Sequence, residues 1–243
     1  MRHLKWLLMT MVFFLAFSQS AQASPVINEF SASTVGTDFE FIELFGAPNT
    51  NYGAYSILEI EGDAGSAAGV IDEVITVGTT NALGYWLTSL ASNSLENGTI
   101  SLLLVLNFTG AFGDDLDTNN DGIFDVIPWN SIVDSIAVHD GGAGDLTYGV
   151  PVLGPYYDGL PYAPGGASRI PNGIDMDTAS DWVRNDFDLA GIPGYTGTLV
   201  QGEAFNTPGA VNRPHTSVPE PATMLLLGLG LIGLAGVRRN MKK

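Results

Sequence analysis

The sequence predicts an all-β protein, a sandwich of two sheets, and three observations carry that expectation. Short apolar runs punctuated by Gly, Asn, Asp and Pro recur along the body of the chain. No stretch of that body shows the 3.6-residue apolar repeat of an amphipathic helix. The run at 99–108, TISLLLVLNF, is apolar on both faces, as a central strand covered on two sides would be.

In chain order, Val26-Ile27-Asn28-Glu29-Phe30 forms the first predicted strand. Residues 38–45, DFEFIELF, are apolar at Phe39 and Phe41 and then at Ile42 and Leu44. Such a change of phase inside one strand predicts a β-bulge. Residues 56–61, SILEIE, place Leu58 and Ile60 inward against Glu59 and Glu61 outward. Residues 70–77, 99–108 and 131–138 complete the series. No internal repeat and no second folded domain is evident, and the length of the body suits one all-β domain.

The two ends read differently. Arg2 and Lys5 precede an apolar run from Trp6 to Phe17, and Ala21-Gln22-Ala23 supplies an A-x-A cleavage site, so residues 1–23 read as a secretory signal peptide and Ser24 as the mature start. At the other end the 16 residues 222–237 are apolar throughout, an apolar helix of roughly 24 Å at about 1.5 Å per residue. That is short against a hydrocarbon core about 30 Å thick. Gly228, Gly230, Gly233 and Gly236 weaken the helix, and Arg238, Arg239, Lys242 and Lys243 give it a positive flank. Residues 24–212 are thus the folded domain, 213–218 a linker, and 219–243 a separate apolar segment with a positive flank.

Charge narrows the functions open to the body. Residues 24–218 hold three Arg, no Lys and 25 of the chain's 26 acids, a formal net charge of −22. Nucleic-acid binding rests on basic side chains neutralising phosphates, so no nucleic-acid partner is expected. An acidic surface favours cations instead. With no cysteine in the chain, burial rather than disulfides must hold an exported fold together.

Two resemblances follow from quoted residues. Val218-Pro219-Glu220-Pro221, an apolar segment and then Arg238-Arg239 resemble the PEP-CTERM sorting signal of Gram-negative bacteria that make extracellular polysaccharide. The resemblance implies recognition by an exosortase and processing near Pro219-Glu220-Pro221. It also implies transient residence in the inner membrane through the C-terminal segment, then passage to the cell surface or extracellular matrix. In the body, Ile27-Asn28-Glu29-Phe30 followed by Asp38-Phe39-Glu40-Phe41-Ile42-Glu43-Leu44 is similar to the opening of bacterial lamin-tail domains. Asp134-Ser135-Ile136-Ala137-Val138-His139-Asp140 resembles the penultimate strand of those domains, and residues 202–212, GEAFNTPGAVN, their close. This implies an immunoglobulin-like β-sandwich that binds rather than catalyses. The chain departs from the pattern in length, with insertions expected around 109–130 and 150–200.

The strongest chemical signal is DDLDTNNDGIFD, residues 114–125. Hard cations take several oxygens from alternate positions of one loop. With Asp117 at position 1, Asn119 and Asp121 fall at 3 and 5, Gly122 at the sharp turn, the Ile123 carbonyl at 7 and Asp125 at 9. Pro128 stands where the bidentate Glu would be, so Asp115 or Asp134 would have to complete the set, and affinity should fall near about 10⁻⁴–10⁻³ M. The predicted cofactor is calcium, and the predicted ligands are Asp115, Asp117, Asn119, Asp121, Ile123 and Asp125. The alternative is a polar hairpin that merely turns the chain.

Asp175, Asp177 and Asp181 form a weaker acidic stretch, whose flanking Arg169 and Arg184 are expected to pair with carboxylates. His139 beside Asp140 reads as a loop-edge histidine, since adjacent strand residues point to opposite faces. No nucleophile elbow is present. Trp86, Trp129, Trp182 and Tyr156-Tyr157-Tyr162 read as packing, with an aromatic platform for sugar rings as the alternative. The sequence therefore describes a non-catalytic exported binding or structural protein of the envelope or polysaccharide matrix, with extracellular polysaccharide or a surface protein as partner. A secreted hydrolase, or an accessory subunit of one acting on matrix polymer, is the alternative.

Overall fold

A computed structural model of the chain describes residues 24–88 and 90–215. The predicted signal peptide, the predicted apolar C-terminal helix and the sorting residues Pro219, Glu220, Pro221, Arg238 and Arg239 lie outside them. Among the described residues no helix is long and apolar enough to cross a membrane.

Ten strands form two five-stranded sheets. The first sheet runs in the order β10 (Trp182–Arg184), β9 (Gly166–Arg169), β1 (Val26–Ser31), β2 (Phe41–Phe45), β5 (Tyr85–Leu87). The second runs β4 (Ile71–Thr76), β3 (Tyr55–Glu61), β6 (Ile100–Leu106), β7 (Ser131–Val138), β8 (Val152–Leu153). Every neighbouring pair is antiparallel except β7 with β8. Phe30, Ile42 and Leu44 of the first sheet share one core with Ile57, Leu102, Leu104 and Ile136 of the second, so the two sheets pack face to face.

The central-strand reading of residues 99–108 holds. Leu102 and Leu104 face the inter-sheet core, while Leu103 and Val105 face the opposite side, and all four are buried. That opposite side is covered by the long β6–β7 connection, whose Leu116, Phe108, Phe124 and Trp129 pack on Leu58, Ile60, Ile71, Leu103 and Val105. The segment 109–130 thus covers the outer face of the second sheet as a lid.

Three expectations need correction. The bulge lies in β1 rather than in β2: Ile27 pairs with Leu44 and Glu29 with Glu43, leaving Asn28 as the extra residue. The phase change in residues 38–45 arises because β2 is buried on both faces, with Phe41, Ile42, Glu43 and Leu44 all at 2% exposure or less. Glu59 and Glu61 alternate with Leu58 and Ile60 as predicted but are buried, because the second cluster covers the face that carries Leu58 and Ile60 and the glutamates turn toward the inter-sheet side.

Candidate functional site

The acidic β6–β7 loop is anchored at its base and open at its tip. Leu116 is buried and its N–H donates to the Gly69 carbonyl, while its own carbonyl accepts the Asp125 and Val126 N–H groups. Between these anchors the buried Asp117 carboxylate sits inside the turn. It accepts the N–H groups of Asp121 (3.2 Å) and Gly122 (2.8 Å) and the Tyr148 hydroxyl (2.8 Å). Burial opposes its ionisation, but these donors outweigh burial and hold the Asp117 carboxyl below the usual carboxylate range. Gly122 takes φ +84°, a left-handed turn that L side chains rarely adopt, as position 6 requires.

Asp115, Asn119, Asp121, Ile123 and Asp125 are exposed around that centre. Asp115 accepts the Asp117 N–H, Asp121 the Ile123 N–H, and Asp125 the Thr118 hydroxyl. The loop joins two strands, with no helix on either side. Asp134 does not complete it. Its carboxylate is buried on β7, accepting the Ile27 N–H and pairing with Arg169 at 2.8 Å.

Arg169 is itself wholly buried and ties the two sheets together. Standing on β9, it pairs with Asp134 of β7 and with Asp175 at 3.0 Å, donates to the Ile27 and Ile174 carbonyls, and lies 4.6 Å over the Trp182 ring. Arg184 pairs with Asp158 and sits against Tyr157 and Tyr162. The expectation that both arginines serve carboxylates is met. The described Trp side chains form no shared surface platform: Trp182 is in the core, and Trp86 and Trp129 pack against separate clusters. A cleft of about 550 Å³ opens beside Arg184, Tyr162, Phe187 and Asp186.

His139 and Asp140 do not diverge as strand neighbours would. β7 ends at Val138 and the chain turns, bringing ligand atoms of His139, Asp140 and Asp145 within 4.8 Å of one another. Two other groups reach the same proximity among the described residues: Glu61, Asp72 and Glu96, and Asp134, Asp175 and Asp177.

A second constellation was invisible as such in the sequence, although its members had been read as separate motifs. The opening residues Asn28 and Glu29, Glu43 of β2, and the closing residues Thr207, Gly209 and Asn212 meet in one buried polar network. Thr207 donates its N–H to Glu29, which also accepts the Asn185 amide, and the Thr207 hydroxyl oxygen stands 3.1 Å from the second Glu29 oxygen. Glu43 accepts the Asn28 amide and the Gly209 N–H. Asn212 donates to the Asn28 and Arg169 carbonyls and accepts from the Thr207 hydroxyl. Gly209 reaches Glu43 with φ +79°. Burial pushes Glu29 up to about 7 and Glu43 up to about 8, and repulsion between these cross-strand partners adds to the shift in Glu43. The network straps residues 203–212 across the first sheet. Beyond it, Arg213 and His215, within the predicted linker, still hydrogen-bond Phe205 and Glu203.

No curated protein and no solved structure matches the chain. A family model described as the PEP-CTERM protein-sorting motif matches residues 217–239, five residues beyond this strap, and it marks the chain as an exported, surface-directed protein sorted by an exosortase.

Proposed function

We propose that the chain is a non-catalytic binding or structural protein of the envelope or extracellular polysaccharide matrix. Its body is an immunoglobulin-like sandwich of the lamin-tail kind, stabilised by calcium in the loop of Asp115, Asp117, Asn119, Asp121, Ile123 and Asp125. Signal cleavage after Ala23 frees Ser24, and an exosortase then acts near Pro219-Glu220-Pro221. The observation that carries the reading is the sorting motif at 217–239 following directly on a strapped, acidic β-body. The lamin-tail likeness is supported by the meeting of its opening and closing residues in one network. The strongly shifted carboxylates Glu29 and Glu43 lie under the strap and not in the cleft, which favours a structural role for them over acid–base chemistry. The acidic surface suits cation-bridged contact with anionic polymer, and Tyr162 and Phe187 at the cleft offer apolar faces for sugar rings.

The experiment is to change Pro219-Glu220-Pro221 to three alanines in the producing cell and follow the chain by size and by fractionation. The expected result is an unprocessed chain retained in the membrane. Normal processing and release of that variant would refute sorting through this motif.

A further inference from the structure

We propose that Glu61, Asp72 and Glu96, with Glu59 beneath them, form a second site for a hard divalent cation of the calcium class, separate from the β6–β7 loop. The site is assembled from three parts of the chain. Glu59 and Glu61 lie two residues apart on β3 and so share a face. Asp72 is the extra residue of a bulge in β4, where Glu59 pairs with Glu73 and Ile60 with Ile71. A bulge re-aims a side chain out of the ladder. Glu96 comes from the connection between β5 and β6. Together Glu61, Asp72 and Glu96 place carboxylate oxygens within 4.8 Å of one another.

An independent observation points to a missing ligand. Glu59 is 1% exposed, and one of its oxygens accepts the Glu96 N–H at 2.7 Å while the other, Oε2, has no hydrogen-bond partner. A buried carboxylate oxygen without a donor is rare in folded proteins and calls for a proton or a cation beside it. Glu59 shares its β3 face with Glu61, accepts the Glu96 N–H and pairs across the ladder with Glu73, the neighbour of Asp72, which places it against this group. Among the described residues no protein cation answers their charge. The body has no Lys, Arg169 and Arg184 are engaged with other acids, and Arg213 lies against Phe205. Burial is graded, with Glu59 and Glu61 buried, Asp72 half-buried and Glu96 exposed, which leaves an entrance. An all-oxygen, all-anionic donor set selects calcium or a similar hard ion over zinc or copper.

The two other acidic groups lack these features. Arg169 already neutralises Asp134 and Asp175. Asp140 and Asp145 accept hydrogen bonds from Thr99, Ala64 and Gly142, and neither leaves a buried oxygen orphaned.

The test is calorimetric calcium titration of the full chain in detergent, beside melting curves in EDTA and in calcium, for the wild type, E61Q/E96Q, E59Q and D121A. The double variant is expected to bind one ion fewer per chain than the wild type. In EDTA it should melt no lower, since two like charges are gone. D121A reports on the loop alone and should keep the ion proposed here, so failure of the loop reading shows as an unchanged D121A and leaves this site standing. An E61Q/E96Q variant that folds and binds as many ions as the wild type overturns the proposal. Should the double variant fail to fold, E59Q decides: calcium bound about tenfold or more weakly at this site supports it, and unchanged binding means that Glu59 holds a proton there and overturns it.

Discussion

Raising the pH from 5 to 9 should destabilise the body, through the glutamates under the strap. Glu43 is fully buried, faces Glu29 across the β1–β2 ladder, and has no cation beside it. Its folded-state value, about 8, stands well above the ordinary 4.5. A group raised on folding gives its full stabilisation below the unfolded value and loses it as pH rises through the folded one. The window is therefore about pH 4.5 to 8. One pKa unit is worth about 1.36 kcal/mol, so Glu43 alone accounts for a loss of about 4 kcal/mol between pH 5 and 9. Glu29, raised to about 7, acts in the same direction. Asp117 and Asp158, held low, contribute losses only in acid below this window.

The assay is urea unfolding in EDTA, followed by tryptophan fluorescence. With a slope of about 2.5 kcal/mol/M, the midpoint should drop by about 1.5 M from pH 5 to pH 9 on the Glu43 contribution alone. In E43Q, which keeps the shape and cannot ionise, the drop should shrink by about 1.5 M, the share of Glu43, and the remainder belongs to the other raised carboxyls, Glu29 and Glu59 among them. A wild-type midpoint that is flat or rises across this window would refute the reasoning. So would an E43Q variant whose midpoint falls as far as the wild type's.

Three further outcomes test other parts of the fold. Calcium should raise the melting temperature of the full chain, and D121A should reduce that rise; an unchanged calcium response in D121A places the stabilising ion elsewhere. Arg169→Met leaves Asp134 buried without its partner and should cost about 3–5 kcal/mol in urea unfolding, part of which R169M/D134N recovers. Leu116→Ala should cost about 2–5 kcal/mol and speed hydrogen exchange at residues 110–128 before it affects β1, because Leu116 pins the lid to the second sheet alone.

The part of this fold written plainly in the sequence is the part governed by apolar burial. β3, β4, β6 and β7 carry runs of Ile, Leu and Val, and their predicted spans agree with the observed strands to within a few residues. The strands of the first sheet's far edge were not legible. β9 reads Gly-Ala-Ser-Arg, a string with no apolar alternation, and it is a strand because its small residues let it approach β1: a Cβ on Gly166 would lie 2.5 Å from the Phe30 carbonyl oxygen. β5, β8 and β10 have at most three residues each, too few for any periodicity to register.

The candidate sites divide along the same line. A calcium-type loop is local, so its spacing shows in twelve consecutive residues, and Gly122 takes the turn that the spacing demanded. The strap network and the Glu59–Glu61–Asp72–Glu96 group are non-local, and no spacing announces them. A clue was nonetheless present. In a chain that carries 25 acids and three Arg, an acid inside an apolar strand has two fates, solvent or a built environment. Alternation assigns it to solvent only where one face of the strand is free. β2 and β3 have both faces covered, so Glu43, Glu59 and Glu61 had nowhere to go but inward, and each needed donors, a proton or a cation. Glu43 found donors in Asn28 and in the N–H of Gly209, thirteen residues before the apolar run. The acids of the first sheet therefore fasten the segment that precedes the sorting motif, through the hydrogen bonds of Glu29, Glu43 and Asn212.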